Sequence, residues 1–350
     1  MIRFKIEALF ERERERESKR RSQHTYNNII SVDNLLNAWR EFLCGKRKRK
    51  DVARFYVHFT DNIVSLHKDL ANKSYCHGSY HSFKINDPKP RDIHKASVRD
   101  RIVHRAIYRV LLPYFDRKFI FDSHSCRDDK GTHLAMNRFR EYGRKVSKNN
   151  TRTVWVLKGD IRKFFASIDH NILKEILKRQ IKDEDILWLL AEVIDSFHTK
   201  DKPNIGLPLG NLTSQLLVNI YLNEFDQFIK RQLKIHYYVR YADDFVVINE
   251  SRLFLENIIS PVAKYLKESL KLDLHPDKLF IRTLVSGVDF LGWVHFTHHR
   301  VLRTATKRRM LRNLHDNKNT ATFISYTGLL KHGDTHELLK SFSVVTSVLK

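Results

Sequence analysis

The sequence predicts an α+β fold, and three observations carry that prediction. Apolar residues recur at helical spacing over long stretches, at 99–112, 214–233 and 252–270. Short β-branched and aromatic runs, TVWVLK at 153–158, then YYVRY and FVVI on either side of Ala242-Asp243-Asp244, read as strands, the last two as an antiparallel hairpin with carboxylates at its tip. No internal repeat and no low-complexity linker interrupts this alternation.

Taken in order, residues 11–22 read ERERERESKRRS, a solvated arm or a helix with i,i+4 pairs, and 46–50 read KRKRK, suited either to phosphate contact or to solvent. Residues 1–55 are accordingly expected to be a basic N-terminal extension. Helical spacing runs over 52–70, followed by turns and short strands in SYCHGSYHSF and DPKPR. The helix over 99–112 ends before Pro113 and shares Ile102, Val103, Ala106, Ile107, Val110 and Leu111 on one face. Arg101, Arg105 and Arg109 line another, a spacing that suits a nucleic-acid backbone, although a solvated face looks the same. The strand at 153–158 runs into Gly159-Asp160, and Asp169 caps a helix carrying Ile172, Leu173, Ile176 and Leu177. GLPLG at 206–210 is a loop feeding the helix at 214–233. Residues 279–283 and 288–294 are expected to pair as a hairpin, and the Lys-, Arg- and Leu-rich remainder to be helical.

Composition narrows the partners. The chain has 350 residues, with 64 Lys and Arg against 40 Asp and Glu, a formal charge of +24. Hydrophobic residues make up 42%, enough for a sizeable core in two or three domains. Self-repulsion of that surplus positive charge is relieved by a polyanion, nucleic acid first and anionic membrane second. Cys44, Cys76 and Cys126 form no CxxC pair, which argues against a disulfide scaffold and a cysteine zinc site and for a reducing cytoplasm. The apolar stretch near Met1 is too short for a signal peptide, and no window approaches the roughly 18 apolar residues of a membrane span. The expectation is a cytoplasmic protein without a membrane partner.

Acidic pairs stand out against this background. Asp243-Asp244 lie between two apolar strands, where adjacent like charges repel unless a cation compensates them, and Asp160 ends a third apolar strand. Hard oxygen ligands suit Mg²⁺ or Mn²⁺, and two such ions clamp the attacking and leaving oxygens of an in-line phosphoryl displacement. Nucleotidyl transfer and phosphodiester cleavage are the chemistries this favours; the alternative is a pair of polar turn residues.

YADD at 241–244 resembles the catalytic hairpin of reverse transcriptases, and its companions appear in that family's order: FKINDPKPRDI at 83–93, LKGDIRKFFASIDH at 157–170, IGLPLGNLTSQ at 205–215, LDLHPDK at 272–278 and FLGW at 290–293. The resemblance implies a right-hand polymerase. Its fingers would occupy 56–152 and about 181–208, its palm 153–299 with an RRM-like antiparallel sheet, and its helical thumb 300–350. It also implies roles. Asp160, Asp243 and Asp244 would hold two Mg²⁺ ions (or Mn²⁺), with the Ile161 carbonyl as a further ligand. Lys84 and Arg91 would meet the triphosphate, in keeping with the absence of a GxxxxGK[ST] loop. Phe165 would be the ring that excludes a 2′-hydroxyl, while Phe164 packs inward because neighbours on an extended segment point opposite ways. Leu209 and Gln215 would line the nucleotide site, and Lys278 would protonate pyrophosphate, where a plain surface lysine is the alternative.

GNLTSQ after IGLP, with Leu209 before Gly210, and SYTGLLKHGDTHEL beginning at Ser325 resemble the reverse transcriptases of diversity-generating retroelements. That likeness implies copying of a template-repeat RNA into cDNA with errors at adenines, mutagenic retrohoming, and a small basic accessory variability protein as partner beside template RNA, the RNA–cDNA duplex and dNTPs. A group II intron-like or phage-defence reverse transcriptase is the alternative within the same chemistry, and a non-catalytic RNA-binding scaffold the alternative outside it.

Overall fold

The computed structural model describes residues 25–86, 90–316, 320–336 and 338; the 11–22 charge block and residues 87–89 of the DPKPR turn lie outside them. Two units divide the chain. The first draws on the chain up to Ile120 with Lys163–Asp226 and Lys267–Leu272, the second on Phe121–Arg162, Gln227–Leu266 and the chain from Asp273 onward.

In the first unit, the region expected to be a charged extension forms packed helices from Tyr26 onward. Ser31 caps the helix Val32–Leu43 by accepting from the Asn34 N–H, and Leu35, Ala38, Trp39 and Phe42 are buried along it as it packs on Val98–Asp116. The helical stretch expected over 52–70 is two helices, Lys50–Val57 and Phe59–Ala71, broken at His58 (φ −114°, ψ 39°). Ser97 caps Val98–Asp116: its hydroxyl accepts from the Asp100 N–H and donates to Asp100 Oδ2 at 2.6 Å. Pro113 does not end that helix. Its missing N–H falls in the last turn, where buried Leu112 and Phe115 hold the chain helical to Asp116.

The arginine row on this helix is paired with carboxylates. Arg101 pairs with Asp51 at 2.5 Å, Arg105 with Glu41 at 3.6 Å, and Arg109 with Glu41 and with Asn34 Oδ1 at 3.0 Å. The helices at 32–43 and 50–57 thus bring carboxylates to guanidinium groups that the sequence left facing either a nucleic-acid backbone or solvent. Strands β1 (His81–Ile85) and β2 (Arg91–Lys95) complete the unit as an antiparallel ribbon.

The second unit holds a four-stranded antiparallel sheet of β3 (Trp155–Asp160), β4 (Tyr238–Tyr241), β5 (Asp244–Asn249) and β6 (Phe280–Thr283), in the order β4-β5-β3-β6. Helix Thr132–Val146 lays Phe139 and Tyr142 into the cluster that buries Val156, Val239, Val246 and Ile248. The hairpin expected between 279–283 and 288–294 does not form. β6 pairs with β3, while β7 (Val288–Phe290) turns through Leu291-Gly292 onto β8 (Trp293–His295), followed by β9 (Arg300–Leu302) in a separate sheet. Both turn residues have positive φ (+55° and +85°), the pattern of a type I′ turn, so the short FLGW loop itself selects the hairpin partner. Helices Thr304–Asp316 and Thr320–Leu330 follow as expected, with Met310, Leu330, Trp293 and Leu302 in one cluster.

The apolar helix expected over 214–233 is α-helical as Leu212–Gln227 and continues as a π-turn over Phe228–Gln232. Cys44, Cys76 and Cys126 are free and exposed. Among the described residues no helix is long and apolar enough to cross a membrane.

Candidate active site

The carboxylates meet by strand register. Asp160 at the end of β3 lies opposite Asp244 at the start of β5, and Tyr241 opposite Asp244 closes β4 and β5 around a loop of Ala242 and Asp243 alone. Ala242 sits at φ +53°, strained for a residue with a side chain. Arg240 holds it. This arginine is fully buried, donating from Nη1 to the Ala242 carbonyl at 3.0 Å and from Nη2 to Ser123 Oγ at 2.9 Å. Its backbone is clasped as well: its N–H donates to the Asp122 carbonyl at 2.9 Å, and its carbonyl accepts from the His124 N–H at 3.0 Å. Gly159 is required beside Asp160, since a Cβ there would come within 2.3 Å of the Phe245 ring.

Burial is the dominant force on Asp244, pushing its carboxyl up to about 7; Lys158 opposes that rise, and Asp160 and Asp243 add to it. Lys158 Nζ stands 3.4 Å from Asp244 Oδ2 and donates to the Asp289 carbonyl at 2.8 Å. Asp244 Oδ1 is buried with no hydrogen-bond partner. Lys278, in the short turn Pro276–Lys278, donates to Asp160 Oδ1 at 2.7 Å, and the His275 N–H donates to the Asp160 carbonyl at 2.8 Å. Ile161 has a buried side chain, bridges to Leu274, and donates its N–H to the Asp243 carbonyl at 3.2 Å.

Among the described residues no three acidic, histidine or cysteine side chains close into a ligand cluster; two lysines counter the carboxylates instead. The residues nonetheless fit a divalent cation. A buried carboxylate oxygen without a partner, beside two further carboxylates, is what a hard cation compensates.

The first unit gathers most of the residues expected at a nucleotide around one loop. The Leu207 N–H donates to the Phe165 carbonyl at 2.8 Å, and the His94 N–H on β2 donates to the Leu209 carbonyl at 3.0 Å. Asn211 returns the tie through Nδ2 to the His94 carbonyl at 2.7 Å. Gly210, at φ +102°, lies so close to Ile93 that a Cβ would meet it at 2.8 Å. Arg91 on β2, Phe165, Leu209 and Gln215 in the first turn of Leu212–Gln227 are therefore anchored to the segment 205–211.

Lys84 and Arg91 are both exposed, but the register Lys84↔Asp92 and Ile85↔Arg91 sets them on adjacent rungs and opposite faces of the ribbon. Phe164 is buried and Phe165 half-buried, as expected, for a different reason: Phe164–Ser167 is a 3₁₀ turn, not an extended segment.

Two residues were missed. Lys158 lies two positions before Asp160 and so shares its face of β3, a period-two signal available in the sequence. Arg240 is a charge inside an otherwise apolar strand, which signals a buried partner without naming it.

This sheet, with its carboxylates paired at the strand ends, occurs in a chain that belongs to the reverse transcriptase family: residues 84–295, more than half of the chain, match the family described as Reverse transcriptase (RNA-dependent DNA polymerase). The α+β class is observed directly. Protein YkfC of Escherichia coli (strain K12) is 28% identical over 255 residues, covering 63% of this chain and 65% of that protein. Group II intron-encoded protein LtrA of Lactococcus lactis subsp. cremoris is 29% identical over 159 residues, covering 44% of this chain and 25% of that one. The chain thus spans less than two thirds of the length of either relative. Among solved structures, telomerase from Candida albicans in complex with a TWJ fragment of telomeric RNA matches with a TM-score of 0.49 and 12% identity, over 64% of this chain and 45% of that one.

Proposed function

We propose that the chain is an RNA-directed DNA polymerase that joins a primer 3′-hydroxyl to the α-phosphate of a dNTP and releases pyrophosphate. The observation that carries this reading is the cross-strand pair Asp160 and Asp244, with one Asp244 oxygen buried and unpaired. Asp160, Asp243 and Asp244, with the Ile161 carbonyl, would hold divalent cations, Mg²⁺ or Mn²⁺. When bound, these supply charge stabilisation at the attacking and leaving oxygens. Lys158 keeps Asp244 ionisable inside the sheet. Lys278, already on Asp160, is the group to deliver a proton to the departing pyrophosphate oxygen. Lys84 and Arg91, on opposite faces of the ribbon, would have to reach the triphosphate from different sides to give it charge-assisted hydrogen bonds, Phe165 bars a 2′-hydroxyl, and Leu209 and Gln215 line the base and sugar.

Within that chemistry we assign the chain to a diversity-generating retroelement, where it copies a template-repeat RNA into cDNA with errors at adenines, together with an accessory variability protein. Support comes from GNLTSQ and from Leu209, an apolar residue that offers an incoming base no hydrogen bond. A group II intron-like reverse transcriptase is the second reading, favoured by the likeness to LtrA.

Primer extension on RNA and DNA templates tests the first reading. Asp243→Asn should abolish incorporation while RNA binding persists; unchanged incorporation would refute the assignment. Sequencing the cDNA tests the second, since errors no more frequent at template adenines than elsewhere exclude the retroelement role.

A further inference from the structure

We infer that His170 and Thr199 are positioning residues for sugar selection: neither is placed at the nucleotide above, and together they fix the turn that carries Phe165 through the segment 199–207. This role rests on the proposed function, in which Phe165 bars a 2′-hydroxyl. A ring can exclude a single oxygen atom only when it is held to a fraction of an ångström.

The turn has little of its own to hold it. Phe164–Ser167 is one 3₁₀ turn entered through Lys163 at φ +47°, and Phe165 is only half-buried within it. Its carbonyls are tied instead to one neighbouring segment. Besides the Leu207 N–H on the Phe165 carbonyl, Thr199 Oγ1 donates to the Ala166 carbonyl at 3.0 Å, and the Gly206 N–H donates to the Ile168 carbonyl at 2.7 Å.

His170 and Thr199 fold that segment into shape. The His170 ring is buried, and its Nε2 lies 2.7 Å from the buried Gly206 carbonyl. A carbonyl can only accept, so Nε2 carries the hydrogen. The His170 backbone N–H donates to the Asn204 carbonyl at 3.0 Å. Thr199 closes the other side, its N–H donating to the Ile205 carbonyl at 2.7 Å. Its hydroxyl stands where a Cβ on Gly206 would come within 2.2 Å, and Gly206 has φ +106°, so glycine alone permits this approach. Two residues earlier the Phe197 ring lies 4.6 Å from His94 of β2 and meets Tyr80 edge-on at 5.6 Å, which anchors the start of the segment. Without the imidazole donor the Gly206 carbonyl is left buried and unpaired, and without the Thr199 hydroxyl the turn loses one of its three ties to the segment.

The test is single-turnover incorporation of a dNTP and of the matching rNTP by the full chain. The ratio of the two efficiencies is the readout, because a purely structural defect lowers both and leaves the ratio unchanged. His170→Leu and Thr199→Val should each lower the preference for dNTP about tenfold, chiefly through faster ribonucleotide incorporation, as expected for a small misplacement of the excluding ring. His170→Gln and Thr199→Ser keep a donor at each place and should keep the wild-type ratio. Thr199→Val, nearly isosteric, carries the test should circular dichroism show His170→Leu unfolded. Phe165→Ala should abolish most of the preference, and Thr199→Val added to it should change the ratio no further. A wild-type ratio in Thr199→Val, equal losses with both nucleotides, or a further fall in the Phe165→Ala background would overturn the role of His170 and Thr199. A Phe165→Ala protein with the wild-type preference would instead refute Phe165 as the excluding ring and this role with it, and a wild-type chain that incorporates neither nucleotide would refute the polymerase reading itself.

Discussion

Lys158 Nζ reaches Asp244 Oδ2 at 3.4 Å while donating to the Asp289 carbonyl at 2.8 Å, so one ammonium group is fixed by backbone on one side and faces a buried carboxylate on the other. Asp244 is therefore held at the edge of ionisation. Burial raises its carboxyl to about 7, and the lysine limits the rise.

The pH dependence follows from that value. Between the unfolded carboxyl value of about 4 and the folded value of about 7, the folded state binds the extra proton. Stability of the metal-free protein is then expected to fall as pH rises through that window and to level off above it. Urea midpoints in EDTA buffer measure this. Asp244→Asn should flatten the slope and unfold later than wild type above pH 7.

Lys158→Met removes the opposing charge. The acid limb of the pH–rate profile for primer extension should move upward by about one unit or more. A profile that overlays wild type would show that Lys158 does not act on Asp244.

Gly159→Ala places a methyl group where the Phe245 ring already lies, 2.3 Å away. Overpacking of this kind destabilises by about 1–3 kcal/mol. Because the displaced backbone is the residue before Asp160, incorporation should fall further than the loss of stability explains, as measured on protein held well below its melting temperature.

Ala242 and Arg240 act on the same turn from two sides. Ala242→Gly removes the strain of φ +53° and should stabilise the fold by about 1 kcal/mol. Arg240→Met strips hydrogen bonds from the Ala242 carbonyl and Ser123 Oγ inside the protein and should cost about 3 kcal/mol or more. Chemical denaturation of the single and double variants checks both figures.

Lys278→Gln keeps a donor near Asp160 but cannot deliver a proton of comparable acidity. Single-turnover incorporation should fall about 100-fold, with dNTP affinity changed far less. An equal loss in affinity and rate would make Lys278 a phosphate contact instead.

Features set by a few neighbouring residues were legible in the sequence. The cap at Asp169, the YADD hairpin and the strand ending at Asp160 depend on local hydrogen bonds and on period-two alternation, so they appear where the pattern puts them. Phe164 turns inward as the pattern predicts, but a 3₁₀ turn rather than an extended segment is what turns it.

Partners distant in sequence could not be read this way. Glu41 and Asp51 pair with the arginine row only because their helices pack on Val98–Asp116, and β6 chooses β3 over β7 because FLGW closes its own hairpin. By itself the sequence determined which residues are acidic, basic and apolar, and therefore which strands end in carboxylates. Tertiary structure alone decided which partners each charge meets: Lys158 with Asp244, Lys278 with Asp160, and Arg240 with the Ala242 carbonyl. The reason is physical. Strand register and burial set the distances and the local dielectric, and those two quantities determine whether a carboxylate is ionised, paired or left open for a cation.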